Sequence, residues 1–371
     1  MVDAKPLPGT FAPWFKARAL SGLPNYSFDT VAGRHVVMLF FGSAQIGPCR
    51  AALELVASRR AMFDDNRIAF FGVTIDPSDE REGRIAQQLP GIRFFLDYDL
   101  AISRLYGADC EGSYDPFWLV LDRRLRVLGR FPVDRGAEAL TCVEADIAAI
   151  QEETLWAPAL LLPNIFEPDF CRELISLYDA HGGRQSGFMR DVNGKTTELH
   201  DPAFKQRRDF LIDDEALRKP IVARIRHRLL PSLTRALAYD ATRIERYLVA
   251  CYEAGAGHFR SHRDNTTKGT AHRRFAVTIN LNAEDYEGGD LRFPEFGTRG
   301  YRAPTGGAVV FSCSLLHEAT RVTRGRRYMF LPFLYDDAAA RIRKENLPYV
   351  ASAAQQSVYV AGQEPEVRRQ L

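Results

Sequence analysis

Only one of the eight histidines is followed two positions later by an aspartate, in His262-Arg263-Asp264. On a β-strand, residues i and i+2 point to the same face, so the imidazole and the carboxylate would aim at one point. A second imidazole, His317, follows Asp264 by 53 residues in the strand-like run Phe311-Ser312-Cys313-Ser314-Leu315-Leu316-His317. Two imidazoles and one carboxylate can hold one face of an octahedral ion and leave three positions open, the donor set of a facial Fe(II) triad. Open positions suit redox chemistry, because two further reactants can bind the ion side by side. Ten residues beyond His317 lies Arg327, after a turn at Arg324-Gly325-Arg326. In an antiparallel pair that spacing returns a guanidinium over the metal-bearing strand, where a planar two-pronged cation suits a dicarboxylic co-substrate. Strand alternation lets only one of Arg326 and Arg327 face the ion.

The elements that must position these residues form a strand-rich second half. From Ile244 onward the pattern reads as eight short strands at 245–252, 258–264, 273–282, 291–296, 299–304, 307–313, 315–323 and 326–335, which suggests a jelly roll or barrel. An amphipathic helix at 169–178 and a helical stretch at 214–238 precede them. Residues 154–168 carry Pro158, Pro163 and Pro168 and read as an extended connection. Residues 30–150 differ, alternating short apolar runs with helical patterns. Strands are expected at 35–41, 68–75, 94–96, 117–121 and 127–131. Helices are expected at 48–63, 79–89, 100–106 and 137–150, so that a central sheet is covered on both faces. We divide the chain into 1–152, 153–338 and a polar tail at 339–371. With 371 residues, 46% hydrophobic and 26% charged, it can bury full-sized cores. A net charge of +2 argues against sequence-blind nucleic-acid binding. No apolar run is long enough to span a bilayer, and the N-terminus has no secretory pattern. Six scattered cysteines with no CxxC fit a reducing, cytoplasmic setting.

The run Tyr252-Glu253-Ala254-Gly255-Ala256-Gly257-His258-Phe259-Arg260-Ser261-His262-Arg263-Asp264-Asn265 resembles the first metal strand of the prolyl 4-hydroxylase-like Fe(II)/2-oxoglutarate dioxygenases. Gly288-Gly289-Asp290-Leu291-Arg292-Phe293-Pro294 is similar to another of their segments. So is Pro304 to Phe311, leading to His317 and Gly325-Arg326-Arg327-Tyr328. The resemblance spans about 158–337 and implies a double-stranded β-helix. It implies Fe(II) on His262, Asp264 and His317, and Arg327 on the far carboxylate of 2-oxoglutarate. Tyr252 matches a tyrosine that hydrogen-bonds the same co-substrate. Asn280 sits where relatives place a further contact, and Thr278 shares its face. The implied reaction consumes O2, with ascorbate in a supporting role. It decarboxylates 2-oxoglutarate to succinate while hydroxylating a C–H bond of a peptidyl proline or a small molecule. His258 and His272 are read as surface or gating histidines. Arg184, Arg190, Arg207 and Arg208, within 183–208, are read as a solvated face or a lid.

The first half resembles the peroxiredoxin/redoxin branch of the thioredoxin superfamily. The strand at 36–41 leads into Gly42-Ser43-Ala44-Gln45-Ile46-Gly47-Pro48-Cys49-Arg50, with the strand–turn–helix placement of that redox site. Gly72-Val73-Thr74-Ile75-Asp76, Asp97-Tyr98-Asp99 and Tyr106-Gly107 match later segments. Pro116 stands where the superfamily carries its cis-proline. Ile46 replaces the nucleophilic cysteine of a Cys-Gly-Pro-Cys site. Cys49 in the first helical turn beside Arg50 is left with two readings, a redox thiol or a small buried hydrophobe. Cys110 is the candidate to resolve a Cys49 sulfenate. The leading expectation is therefore a hydroxylase whose redoxin-like domain presents substrate, shields the iron or supports a homodimer. The alternatives are a thiol peroxidase using Cys49 with a metal-binding second half, and a non-enzymatic binding scaffold.

Overall fold

The computed structural model describes residues 5–22, 24–110, 112–150 and 155–351. The chain divides into two compact units, one built from Met1–Leu155 with Pro294–Gly297, the other from Trp156–Phe293 with Thr298–Leu371.

The first unit is organised by β1 (His35–Gly42), every residue of which is buried. Such an unbroken apolar run belongs to a strand covered on both faces. Helix α1 (Gly47–Ser58) follows, with a proline in its first turn. Then come β2 (Ile68–Thr74), α2 (Pro77–Arg81), β3 (Ile92–Leu96), α3 (Ala101–Tyr106), β4 (Phe117–Leu121), β5 (Val127–Pro132) and α4 (Gly136–Ala149). The sheet order is β3-β2-β1-β4-β5. β1, β2 and β3 run parallel, while β4 and β5 are antiparallel to their neighbours. This is the thioredoxin fold.

Two expectations are corrected here. The helix expected over 79–89 is confined to Pro77–Arg81. Asp79 turns inward instead of facing solvent, where its carboxylate accepts from the Ala44 N–H and the Thr74 hydroxyl. Gly83 then leaves the helix at φ +66°. The peptide bond before Pro116 is trans, and the cis bond among the described residues is Leu89–Pro90.

Cys49 is fully buried. Burial, then the nearby Asp79 carboxylate, push its thiol pKa up. Cys110 lies exposed in a separate two-stranded hairpin. Iodoacetamide at pH 7.5 is therefore expected to label Cys110 within minutes and to leave Cys49 unlabelled until denaturant is added. Peptide mapping of the alkylated chain checks this, and early labelling of Cys49 would show a reactive thiol.

The second unit opens with β6 (Ala159–Leu162), a paired strand where the prolines suggested a plain connection. Helix α5 (Pro168–His181) follows. The stretch 183–208 contains a hairpin, β7 (Phe188–Val192) with β8 (Lys195–Leu199), then β9 (Lys205–Gln206) and β10 (Arg208–Leu211). Helices α6 (Glu215–Arg224) and α7 (Leu230–Leu237) cover the expected helical stretch. The remaining strands used below are β11 (Arg243–Glu245), β12 (Leu248–Glu253), β13 (His258–His262), β14 (Phe275–Asn280), β15 (Leu291–Arg292), β16 (Ala308–Ser312), β17 (His317–Ala319), β18 (Arg326–Phe330) and β19 (Phe333–Tyr335). The tail reading over 339–371 meets α8 (Asp337–Asn346), and its residues 352–371 lie outside those described.

These strands build two antiparallel sheets. The larger follows β6-β16-β14-β18-β12-β10, with β11 and β19 joined beside β14. The smaller contains β9-β13-β17-β15. The arrangement is a double-stranded β-helix. Alternation on β12 explains its two faces. Val249 and Cys251 pack outward with Leu174, Ile221 and Leu233 of the helices. Leu248, Ala250 and Tyr252 point inward with Met329, Leu331 and Val322. Burial of that outer apolar face, at roughly 25 cal/mol per Å², holds the large sheet in place and so fixes which β12 residues face the interior.

Candidate metal centre

β13 and β17 pair so that His262 lies directly opposite His317. Their rings are 4.3 Å apart. Asp264 lies just past the end of β13, held by its N–H donating to the Cys313 carbonyl. Its carboxylate oxygens stand 3.6 Å from His262 Nε2 and 3.3 Å from His317 Nε2. One ligand atom from each residue falls within 4.8 Å of the others.

The outer shell fixes which nitrogens are offered. His262 Nδ1–H donates to the Arg260 carbonyl at 2.7 Å and His317 Nδ1–H to the Leu315 carbonyl at 3.0 Å. Carbonyls only accept, so in the neutral imidazole of either residue Nε2 is the nitrogen that offers a lone pair. Phe259 stacks on His262 at 3.5 Å and Phe311 sits edge-on to His317 at 4.6 Å. Burial, then the neighbouring His317, keep the His262 pKa well below its ordinary value. Burial alone would raise the Asp264 pKa, but the imidazoles beside it bring it below the usual carboxylate range. Two neutral imidazoles and one carboxylate are the protonation states that ligation needs.

Arg327 on β18 pairs in register with Tyr252 on β12, so both face the interior. Arg327 is 3% exposed, and its guanidinium carbon lies 5.3 Å from the Tyr252 ring and 5.9 Å from the Tyr286 ring. Its Nε and Nη1 have no hydrogen-bond partner among the described residues. A buried guanidinium with two idle donors calls for an oxyanion. Arg326 alternates outward to pair with Asp179. Asn280 shares the inner face, opposite Met329. Its amide is engaged with the Ala303 carbonyl, and Tyr286 donates to its Oδ1 at 3.5 Å. Thr278 is buried two residues away on the same strand face. His258 bonds to the Ala256 and Ala203 carbonyls, and His272 is buried against Glu245.

Gly289 makes room for Arg327. Its φ is +67°, and an added Cβ would lie 2.8 Å from Val322 Cγ2 and 3.0 Å from Arg327 Cδ. Gly289→Ala is expected to shift the guanidinium and weaken binding of a dicarboxylate such as 2-oxoglutarate about 10-fold. The strained backbone would cost about 1–3 kcal/mol of stability. Calorimetric titration and a denaturation curve check both, and unchanged affinity would show that Arg327 is not placed by this contact.

A model of the 2OG-Fe(II) oxygenase superfamily matches residues 247–335, which contain the triad and Arg327. A PKHD-type hydroxylase of Pseudomonas fluorescens strain Pf0-1 is 31% identical over 181 residues, covering 46% of this chain and 74% of that protein. The chain belongs to the PKHD-type hydroxylase family of 2OG-Fe(II) oxygenases. A PKHD-type hydroxylase of Synechococcus strain JA-3-3Ab is 35% identical over 91 residues, 23% of this chain and 40% of that protein. The chain thus spans less than half of the Synechococcus relative's length. Among solved structures, a Pseudomonas putida prolyl-4-hydroxylase matches with TM-score 0.36 and 19% identity over 50% of this chain and 94% of that one. Peroxidoxin BcpB from Mycobacterium tuberculosis matches with TM-score 0.31 and 19% identity, covering 38% and 97%.

Within this PKHD-type unit the structure adds residues that the motifs do not reveal. Tyr286, in the loop after β14, closes over Arg327 and Asn280. Glu245 on β11 accepts from Arg273 at 2.7 Å and from His272 at 2.7 Å. Arg273 Nη1 in turn reaches the Asp264 carbonyl at 3.4 Å. Arg207 is buried on two short contacts with Asp209, at 2.7 and 2.6 Å. One available signal is Arg207-x-Asp209, an i, i+2 polar pair at the start of β10, with the same spacing as the metal pair.

Proposed function

We propose that this chain is a non-haem iron dioxygenase that couples oxidative decarboxylation of 2-oxoglutarate to hydroxylation of a C–H bond. The observation that carries this reading is the meeting of three metal-type donors within 4.8 Å with a buried, half-idle Arg327 on the same interior. The donor set suits Fe(II), and the idle guanidinium suits the far carboxylate of the co-substrate. Fe(II), when bound, supplies the chemistry by which the substrate C–H, O2 and 2-oxoglutarate become C–OH, succinate and CO2.

The chain's own residues do the rest. His262 and His317 present neutral Nε2 atoms because their Nδ1 protons are held by backbone carbonyls. Asp264 adds the single negative charge. Arg327 orients the diacid by two parallel hydrogen bonds, with Tyr252 and Asn280 beside it. Leu248, Ala250 and Met329 line the interior between these groups and keep water out. No helix among the described residues is long and apolar enough to cross a membrane. All six cysteines are free. A cytoplasmic setting, with ascorbate or another reductant keeping the iron ferrous, fits this reading.

The test incubates the full chain with Fe(II), 2-oxoglutarate, ascorbate and air against prolyl peptides and a small-molecule collection. Mass spectrometry should find one product a single oxygen heavier, with succinate formed alongside it. Both should vanish in His262→Ala. Succinate formation that is unchanged in that variant would contradict the reading.

A further inference from the structure

The interior carries more positive charge than its own carboxylates balance. Four cations gather along the interior, running from Arg207, which faces the Tyr252 ring opposite Arg327, toward the Phe333 ring. These are Lys205 on β9, Arg207, Arg246 between β11 and β12, and Arg273. Asp209 neutralises Arg207 and Glu245 neutralises Arg273. Lys205 and Arg246 pair with no carboxylate among the described residues. Lys205 is 4% exposed, and its ammonium donates only to neutral oxygens, the Ser186 hydroxyl at 2.7 Å and the Gly187 carbonyl. Arg246 donates through Nε to the Leu331 carbonyl at 3.1 Å. Burial, then the neighbouring guanidinium groups of Arg207 and Arg246, hold the Lys205 pKa well below the ordinary lysine value. An ammonium buried without a paired carboxylate is disfavoured, so such a site calls for an anion from outside.

Each cation is linked to the metal site through intervening residues. Lys205 Nζ lies 4.8 Å from the Phe259 ring, which stacks on His262. Arg246 and Arg273 lie over the Phe333 ring at 4.2 and 4.1 Å, and Arg273 reaches the Asp264 carbonyl. Leu331, which anchors Arg246, is four residues along the chain from Arg327. At about 3.3 Å per residue that is roughly 13 Å, beyond the reach of a carboxylate held on Arg327. The charges of a bound 2-oxoglutarate and of Asp264 are already met by Fe(II) and Arg327. The surplus at Lys205 and Arg246 is therefore left for another molecule.

We propose that the molecule hydroxylated at this site is a small oxyanion, a carboxylate or phosphate ester, whose anionic group docks between Lys205 and Arg246 with its reacting carbon toward the triad. The proposal rests on the dioxygenase reading above. The test uses the full chain loaded with Mn(II) and N-oxalylglycine, an unreactive analogue of 2-oxoglutarate. Loading is measured first, so that failure to load counts against the dioxygenase reading. The loaded chain is then titrated calorimetrically with small carboxylic acids, phosphomonoesters, their matched neutral amides and alcohols, and uncharged prolyl peptides.

At least one oxyanion should bind 30-fold or more tighter than its neutral match, and the favoured arm identifies the anionic group. Lys205→Met and Arg246→Met should each weaken it 10-fold or more. Lys205→Met should also melt no lower than the wild type without ligand, since it removes an unbalanced buried charge. Arg246→Met, at a half-buried position, gives an independent reading. Neutral matches that bind as well as the anions, prolyl peptides that bind where no oxyanion does, or anion affinity unchanged in both variants would overturn the proposal.

Discussion

Asp264→Ala is expected to abolish Fe(II) binding while the chain stays folded. Asp264 supplies the only negative charge in the triad. Without it, two neutral imidazoles 4.3 Å apart face a dication alone. Changes to outer-shell partners cost about 10–100-fold in metal affinity, and loss of the charged ligand itself must cost more than that. The fold should tolerate the change. Asp264 is tied in place by its backbone N–H to the Cys313 carbonyl, which alanine keeps. The carboxylate is also 13% exposed, so its removal leaves no large void. Anaerobic equilibrium dialysis measures the affinity, and a circular dichroism melt checks the fold. Metal affinity within a few-fold of wild type would mean that Asp264 is not a ligand.

The second large effect is on stability. Glu245→Gln should cost about 3–5 kcal/mol, because it strands the buried Arg273 guanidinium without its counter-charge. Burial disfavours the charged form of Glu245. Arg273 and then His272 outweigh that and bring its pKa well below the ordinary 4.5. Burial lowers the His272 pKa below the ordinary 6.5, despite the carboxylate beside it. Both groups are therefore more reluctant to take up a proton when folded. The unfolded chain binds more protons as pH falls, so stability drops on acidification, first below about 6.5 and more steeply below about 4.5. Chemical denaturation from pH 8 to pH 4 should show this slope, flattened in Glu245→Gln below about pH 5. An unchanged slope would show that this cluster does not set the acid limit. Because Arg273 also bonds to the Asp264 carbonyl, the variant should bind metal about 10–100-fold more weakly.

The groups legible in the chain were those whose chemistry repeats with strand period. His262 and Asp264 share a face by alternation. The separation of Arg326 from Arg327 follows the same rule, and the outward partner Asp179 could not have been named without the fold. The eight-strand pattern points to the architecture, yet the stretch 315–323 splits into two short strands around a break at Thr320 and Arg321. Glu245, His272 and Arg273 were opaque because β11 meets the β14 region only through β19, a pairing that no local pattern encodes. Lys205 was missed for a related reason. A lysine among surface-type arginines reads as solvated, and only tertiary burial shows otherwise. Asp79 is a second case of the same kind, a polar residue in a helix-like run that the fold uses as an internal acceptor for the Cys49 loop.

The central claim is best tested by an anaerobic calorimetric titration of the full chain, first with Fe(II) and then with 2-oxoglutarate. The account predicts one Fe(II) per chain, followed by one 2-oxoglutarate that binds only to the metal-loaded protein and is lost in Arg327→Met. Absence of Fe(II) binding, or 2-oxoglutarate binding that is indifferent to both the metal and Arg327, would contradict it.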